Sequence, residues 1–415
     1  MSAATLVSRD ACVARDTSDP LGILRDRFVI PDGVIYLDGN SLGAAPRTVH
    51  ERLRAAMADE WATSLIRSWN RHDWIGAPAR IGGKIAPLIG AQPNEVIVAD
   101  STSVNLFKLL VAALAARPGR KTIVTEAGNF PTDLYVAQGV QALMDGVSLR
   151  VAPTPDLPGA IDDGVALVVL THVHYKSAVR LDMAGLTRAA HDAGALILWD
   201  LSHSAGAVEV DLGAAGADLA VGCGYKYLNG GPGAPAWLYV AERLQASLVS
   251  PLTGWMGHGD PFAFDDTYRP ADGITRFLCG TPPMLSLLAL ESGIDVFDGV
   301  DMRVLEGKGQ RLASLFIELV EDRCAGHSLT LLTPRDPAAR GSHVSFAHPH
   351  AWPIMQALID RGVIGDFRAP DVLRCGFTPL YLGFEDVWRA VETLRDILET
   401  GVWREPRFQV RSRVT

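Results

Sequence analysis

Between about Glu95 and Val240 the chain alternates strand-length apolar runs with segments of helical length, and this alternation leaves few folds open. The runs are Val96–Ala99, Thr122–Thr125, Leu149–Ala152, Ala166–Leu170, Ala195–Trp199, Leu219–Val221 and Ala236–Val240, with helical segments such as Val104–Ala116 and Met183–Ala193 between them. Strands that are apolar throughout are buried on both faces, and strands joined through helices run parallel. The pattern predicts an α/β fold with a large domain built on a mainly parallel seven-stranded sheet, where ligands collect at the carboxyl ends of the strands. From Pro282 the texture changes to a helical stretch over about Pro283–Val320, short strands at Leu329–Leu332, Val344–Phe346 and Val372–Cys375, and helices at Ala351–Arg361 and Phe384–Leu398. That is an α+β pattern and predicts a smaller second domain. The expected division is an N-terminal segment 1–60 joining the small domain, a large domain 61–285 and the small domain 286–415. The first thirty residues read as polar and irregular, and Thr48–Ile66 as a helix.

At 48% hydrophobic over 415 residues there is ample material for a core. The net charge of −9, with acidic and basic residues interspersed, argues against nucleic acid or an anionic membrane surface as a partner. No stretch reaches membrane-spanning length, and Arg9 and Asp10 stand where a signal peptide needs an apolar region, so the expected location is the cytoplasm. The five cysteines, Cys12, Cys223, Cys279, Cys324 and Cys375, lack the spacing of a zinc site or a disulfide framework. They read as reduced thiols, and no metal is expected.

Several apolar runs end in residues that carry chemistry. Asp200 closes Ala195–Trp199, and an unpaired carboxylate buried there is costly. Lys226 follows the next run, between Tyr225 and Tyr227, with Gly222 and Gly224 before it and Asn229-Gly-Gly-Pro after it. An aspartate and an isolated lysine at one sheet edge are what an enzyme needs to hold pyridoxal 5'-phosphate (PLP), the lysine as a Schiff base and the aspartate under the ring nitrogen. Tyr225 is placed to act as an acid/base phenol or to bond the phosphate, and His203 to sit near the cofactor. After Ala99 the chain enters a helix through Ser101-Thr102-Ser103. These hydroxyls cap the helix, and its free N–H groups bind phosphate. Phe130-Pro-Thr-Asp133 follows another strand, so Phe130 can lie on a pyridine ring and Asp133 can bond its edge. Near the N-terminus, Leu37-Asp-Gly-Asn-Ser-Leu-Gly43 suits a backbone approaching a ligand closely, and Arg67–Trp74 suits either an aromatic pocket wall or a domain seam.

The pairing of W-D-x-x-H-S-A-G with Y-K-Y-L-N-G-G-P-G resembles the class V branch of the fold type I PLP-dependent transferases. Leu37–Gly43, Thr102–Leu106, Phe130–Asp133, Gly254-Trp-Met-Gly-His258, Gly280-Thr-Pro-Pro283 and Gly365-Asp-Phe-Arg-x-Pro-Asp-Val-Leu-Arg374 narrow the resemblance to the kynureninase family. The resemblance implies hydrolytic Cβ–Cγ cleavage of L-kynurenine, and more weakly 3-hydroxykynurenine, to anthranilate (3-hydroxyanthranilate) and L-alanine in tryptophan degradation, on a route to NAD. It implies a homodimer with shared active sites. Lys226 would carry the cofactor and Asp200 pair with the ring nitrogen. Phe130 would stack on the ring, with Thr102, Ser103, Asp133, Thr171, His203 and Tyr225 completing the shell. Trp255 and Thr281 would reach the phosphate from the partner subunit, and Thr281, where animal members carry asparagine, would favour kynurenine. Arg374 would grip the substrate α-carboxylate through its planar fork, with Ser41 and His72 also in the substrate pocket. The rival readings are another class V enzyme, an aminotransferase or a cysteine desulfurase, and a non-catalytic PLP-binding regulator.

Overall fold

The structure is a computed structural model that describes residues 7–264 and 266–411. Met1–Leu6, part of the segment read for a signal peptide, lie outside the described residues. The chain divides into two units, one of Thr48–Tyr175 and Leu181–Asp295, the other of Met1–Arg47, Lys176–Arg180 and Val296–Thr415.

The larger unit is built on a seven-stranded sheet. Its strands are β1 (Val96–Val98), β2 (Thr122–Glu126), β3 (Ser148–Ala152), β4 (Val165–Thr171), β5 (Leu196–Asp200), β6 (Leu219–Gly222) and β7 (Trp237–Val240). They lie in the order β1-β7-β6-β5-β4-β2-β3, with β7 antiparallel to both neighbours and the other pairings parallel. All seven apolar runs thus enter one sheet. Every residue of β1, β4, β5, β6 and β7 is buried, which is why these strands read as continuous apolar runs rather than alternating ones. Helix α1 (Thr102–Ala115) packs Leu106, Leu109, Leu110 and Ala113 into a core shared with Ile123, Leu167, Leu198, Val221 and Leu238. Parallel register sets Thr171 opposite Asp200, and the Leu201 N–H bonds the Val221 carbonyl at 2.8 Å, so β4, β5 and β6 end together.

In the smaller unit a four-stranded sheet has the order β8 (Thr330–Leu331), β9 (His343–Ala347), β11 (Val372–Gly376), β10 (Asp366–Arg368), all antiparallel. The segment Ile35–Tyr36 pairs in parallel with Val363–Ile364, and the Gly376 N–H bonds the Leu37 carbonyl at 2.7 Å. This carries the D-G-N-S loop to β10 and β11.

Three local expectations are corrected. The first thirty residues contain a helix at Arg9–Thr17, and Asp16 caps another helix far along the chain, accepting from the N–H groups of Phe384 and Glu385 at 2.6 and 2.8 Å. A polar helix of this kind is held by tertiary bonds, so it leaves little apolar period to read. Thr48–Ile66 is not one α-helix: an α-helix over Arg47–Ala55 widens into a π-helix over Ala56–Ser64, and Leu65 turns out at φ +52°. Of its apolar residues, Met57, Trp61 and Leu65 are exposed. The stretch Pro283–Val320 is two helices, Met284–Ile294 and Met302–Arg323, separated where Gly299 takes φ +77° and Asp301 caps the second.

Candidate active site

The carboxyl edge of the large sheet gathers three carboxylates in one buried cluster. Glu126 closes β2, Asp200 closes β5, and Asp133 sits in the first turn of helix α2 (Pro131–Leu143); none is more than 3% exposed. Asp200 is fixed by the Ser202 N–H, which donates to its Oδ1 at 2.7 Å. Glu126 Oε1 accepts from the Thr171 N–H at 3.0 Å. The Thr171 hydroxyl donates to Asn129 Oδ1 and lies 3.4 Å from Asp133 Oδ2, while Asn129 Oδ1 also accepts from the Phe130 N–H at 2.6 Å. One network thus orients Phe130, Asp133 and Thr171.

Buried close to Asp200, Glu126 and Asp133 resist ionisation. Burial, then the charge of Asp200, pushes the Asp133 carboxyl well above its usual range, and Asp133 also feels Glu126 and, favourably, Lys226. Burial likewise pushes Glu126 up to about 7. Asp133 Oδ1 is buried and has no hydrogen-bond partner among the described residues. A planar ring with a protonated nitrogen meets all three needs: a cation for the carboxylates, a partner for the bare oxygen and a flat face for Phe130. The residues present therefore fit PLP. Lys226 is 9% exposed, with its Nζ 5.7 Å from the Phe130 ring centroid and 5.8 Å from that of Tyr225. Phe130 is itself held edge-on by Tyr175, centroids 5.2 Å apart. The Lys226 loop folds back tightly, the Gly230 N–H bonding the Gly224 carbonyl at 2.9 Å; a Cβ on Gly224 would meet the Pro235 carbonyl oxygen at 2.4 Å. That is the physical content of the glycine framing.

The remaining expected residues are placed as follows. Thr102 and Ser103 open α1 with solvent access, behind the Ser101 cap, so the helix start is open to an anion. His203, three residues after Asp200, is buried, while Trp255, 40% exposed, and Thr281 face solvent. His72 Nε2 lies 3.2 Å from Ser64 Oγ, in a cluster where Trp74 and Arg52 bond Glu60 at 2.7 Å each. Trp74 is buried there, edge-on to Trp69.

In the smaller unit Arg374, 1% exposed, points its Nε and Nη2 edge at Asp366, at 2.8 and 2.5 Å. Its Nη2 also donates to Ser41 Oγ at 3.0 Å, and Arg368 donates to the same oxygen at 3.1 Å. The Asn40 amide, turned so that its oxygen faces the guanidinium, accepts from Nε and Nη2 at 3.0 and 3.1 Å. The Asn40 side chain fits there because residue 376 is glycine: a Cβ at 376 would lie 1.9 Å from the amide. The fork expected to await a substrate carboxylate therefore already holds a protein carboxylate along one edge. Glu126, Asn129, Asn40 and Asp366 were not singled out from sequence. The last two lie inside the D-G-N-S-L-G and D-F-R motifs and the first two just precede F-P-T-D, but spacing along the chain does not give their partners.

A seven-stranded sheet of this topology, with an aspartate closing one strand and a lysine following its neighbour, is the framework of a PLP-dependent enzyme of fold type I. Solved structures agree on the fold. A cysteine desulfurase from Thermococcus onnurineus superimposes with a TM-score of 0.76 at 21% identity, covering 91% of this chain and 98% of that one. A C-DES variant with glycine covalently linked to its PLP cofactor gives 0.79 at 16% identity, covering 90% and 99%. The family model of the kynureninase C-terminal domain matches residues 305–394. A kynureninase of Pseudomonas fluorescens is 53% identical over 99% of this chain and 100% of its own length, and one from Burkholderia mallei is 53% identical over 98% and 100%. The chain belongs to the kynureninase family.

Proposed function

We propose that this protein is a PLP-dependent hydrolase that cleaves the Cβ–Cγ bond of L-kynurenine to give anthranilate and L-alanine in tryptophan degradation. The observation that carries the reading is Lys226 set between two aromatic rings over a buried Glu126–Asp133–Asp200 cluster, in a chain similar to kynureninases along its whole length. Asp200 would pair with the ring nitrogen, Phe130 would cover one face, Asp133, Thr171 and His203 would line the ring, and Thr102, Ser103 and Tyr225 would hold the phosphate. When bound, PLP supplies an electron sink for the pair left on the substrate carbon. The Lys226 amine takes the α-proton and returns protons to the alanine carbons. The Tyr225 phenol serves as acid and base while water adds to the aryl ketone carbon, and Arg374 with Ser41 takes the α-carboxylate. His72 is a further candidate for the substrate pocket.

The protein is read as a cytoplasmic homodimer with Trp255 and Thr281 serving the partner's site. Supporting this, Trp255, Phe262 and Phe264 form a chain of edge-on contacts at 5.7 and 6.3 Å, and all three are exposed, as are Trp61 and Ile66. The contiguous exposed chain Trp255–Phe262–Phe264 is the kind of apolar surface that supports an interface. No helix among the described residues is long and apolar enough to cross a membrane. Thr281 supports a preference for kynurenine over 3-hydroxykynurenine. Against a desulfurase, burial pushes all five thiols up, and Cys279, the one that is not fully buried, donates to Asp100.

The test is to add L-kynurenine to the purified, PLP-loaded protein and follow anthranilate fluorescence and L-alanine. One anthranilate per alanine is expected; a keto acid with conversion of the cofactor to its amine form would mean an aminotransferase instead.

A further inference from the structure

Around Arg374 the smaller unit gathers a set of charges that is buried at Arg374 and Asp366 and reaches solvent at Arg368. Two carboxylates, Asp38 and Asp366, face two guanidinium groups, Arg368 and Arg374, with Ser41 and Asn40 as the neutral members. Asp366 is fully engaged: it accepts from Arg374 at both oxygens, from Ser41 at 2.9 Å and from Arg368 at 2.5 Å. Burial opposes its ionisation, yet Arg374 and Arg368 outweigh that and hold it below the usual range. Asp38 is the under-compensated member. Its Oδ1 is buried with no hydrogen-bond partner among the described residues. Burial and the charge of Asp366 push its carboxyl up to about 7, against the opposing pull of Ser41, Arg374 and Arg368. Among the described residues, Tyr36 and Cys375 also feel this pair, both pushed up, so both stay neutral.

The charges of this set cancel when both carboxylates are ionised. A ligand carboxylate arriving at Arg374, the role given to it in the proposed function on which this inference rests, adds a third negative charge beside the buried Arg374–Asp366 pair. Either the site holds a net buried charge or one acid takes a proton, and the second is cheaper. Asp366 cannot take it without giving up its bonds to two arginines. We infer that Asp38 takes up a proton as a ligand carboxylate docks on Arg374, which makes it a positioning residue that links substrate binding to pH. The proton on Asp38 lets Arg374 share its charge between Asp366 and the ligand.

The sign follows. Free Asp38 is largely ionised above about pH 7, so binding above that pH requires proton uptake and weakens as pH rises. The limit for one group is about one proton and ~10-fold in Kd per pH unit. Asp38→Asn imitates the protonated acid and should bind without uptake.

The probe is 3-benzoylpropionate, an aryl γ-keto acid without the amino group, titrated into PLP-loaded protein by calorimetry between pH 6.5 and 9 in buffers of different ionisation enthalpy. Wild type should take up a substantial part of one proton near pH 8 and lose affinity towards pH 9. Asp38→Asn should take up none and keep its affinity at pH 9, where a residue of merely structural importance would lose it. Binding by wild type without proton uptake overturns the role of Asp38, and needs no variant to do so. No binding by wild type, together with no anthranilate from kynurenine, overturns the functional reading beneath it.

Discussion

Replacing Glu126 by Gln tests the idea that the large unit stores electrostatic cost at the place where a cationic ring belongs. Glu126 is 1% exposed, beside Asp200, and burial pushes its carboxyl from 4.5 to about 7. The native state therefore favours the protonated acid. Its contribution to stability is complete below the ordinary carboxylate range and is lost as pH rises through 7. At ~1.4 kcal/mol per pH unit, the interval from 4.5 to about 7 is worth about 3 kcal/mol. Gln keeps the acceptor that bonds the Thr171 N–H and cannot ionise. In cofactor-free protein, thermal unfolding between pH 5 and 8.5 should show Glu126→Gln and wild type converging at the acid end. The variant should be more stable at pH 8. PLP loading should narrow the difference, because the ring nitrogen offsets the same charge. A difference between variant and wild type that does not change with pH, or a variant less stable at pH 8, would refute the reasoning.

Lys226→Ala should abolish both the protein-linked absorbance of the cofactor and anthranilate formation; turnover retained by that variant would remove Lys226 from the chemistry. Gly224→Ala places a methyl 2.4 Å from the Pro235 carbonyl oxygen, so the Lys226 loop must shift. A loss of ~1–3 kcal/mol and weaker PLP retention are expected, measured by unfolding and by equilibrium dialysis. Arg374→Lys forfeits the fork shared with Asp366 and should raise KM for kynurenine ~10-fold or more while kcat falls less, read from steady-state kinetics. If Trp255 serves the partner's site, inactive Lys226→Ala and impaired Trp255→Ala proteins should regain activity when mixed and allowed to exchange subunits; exchange without recovery would place Trp255 in its own chain's site.

Much of the large unit was legible because burial on both faces writes itself into the chain. β4 and β5 have no room for a polar residue until they end, and Thr171 and Asp200 stand where they end. The lysine was legible for the opposite reason, as an isolated charge among glycines that a surface lysine does not need. Pattern reading failed where partners are remote. Helix Arg9–Thr17 is tied by Asp16 to the residues near 385, and the widened helix over Ala56–Ser64 breaks the 3.6-residue period that a helix reading needs.

By itself, then, the sequence determined the sheet, its carboxyl edge, and the aspartate and lysine delivered to that edge, because each follows from chain-local burial and spacing. Only the tertiary structure decided that Glu126 joins Asp133 and Asp200 in one buried cluster, and that Arg374 already grips Asp366 while Asp38 is left under-compensated. Charge compensation is a property of groups brought together from distant strands and loops, and no spacing along the chain records it.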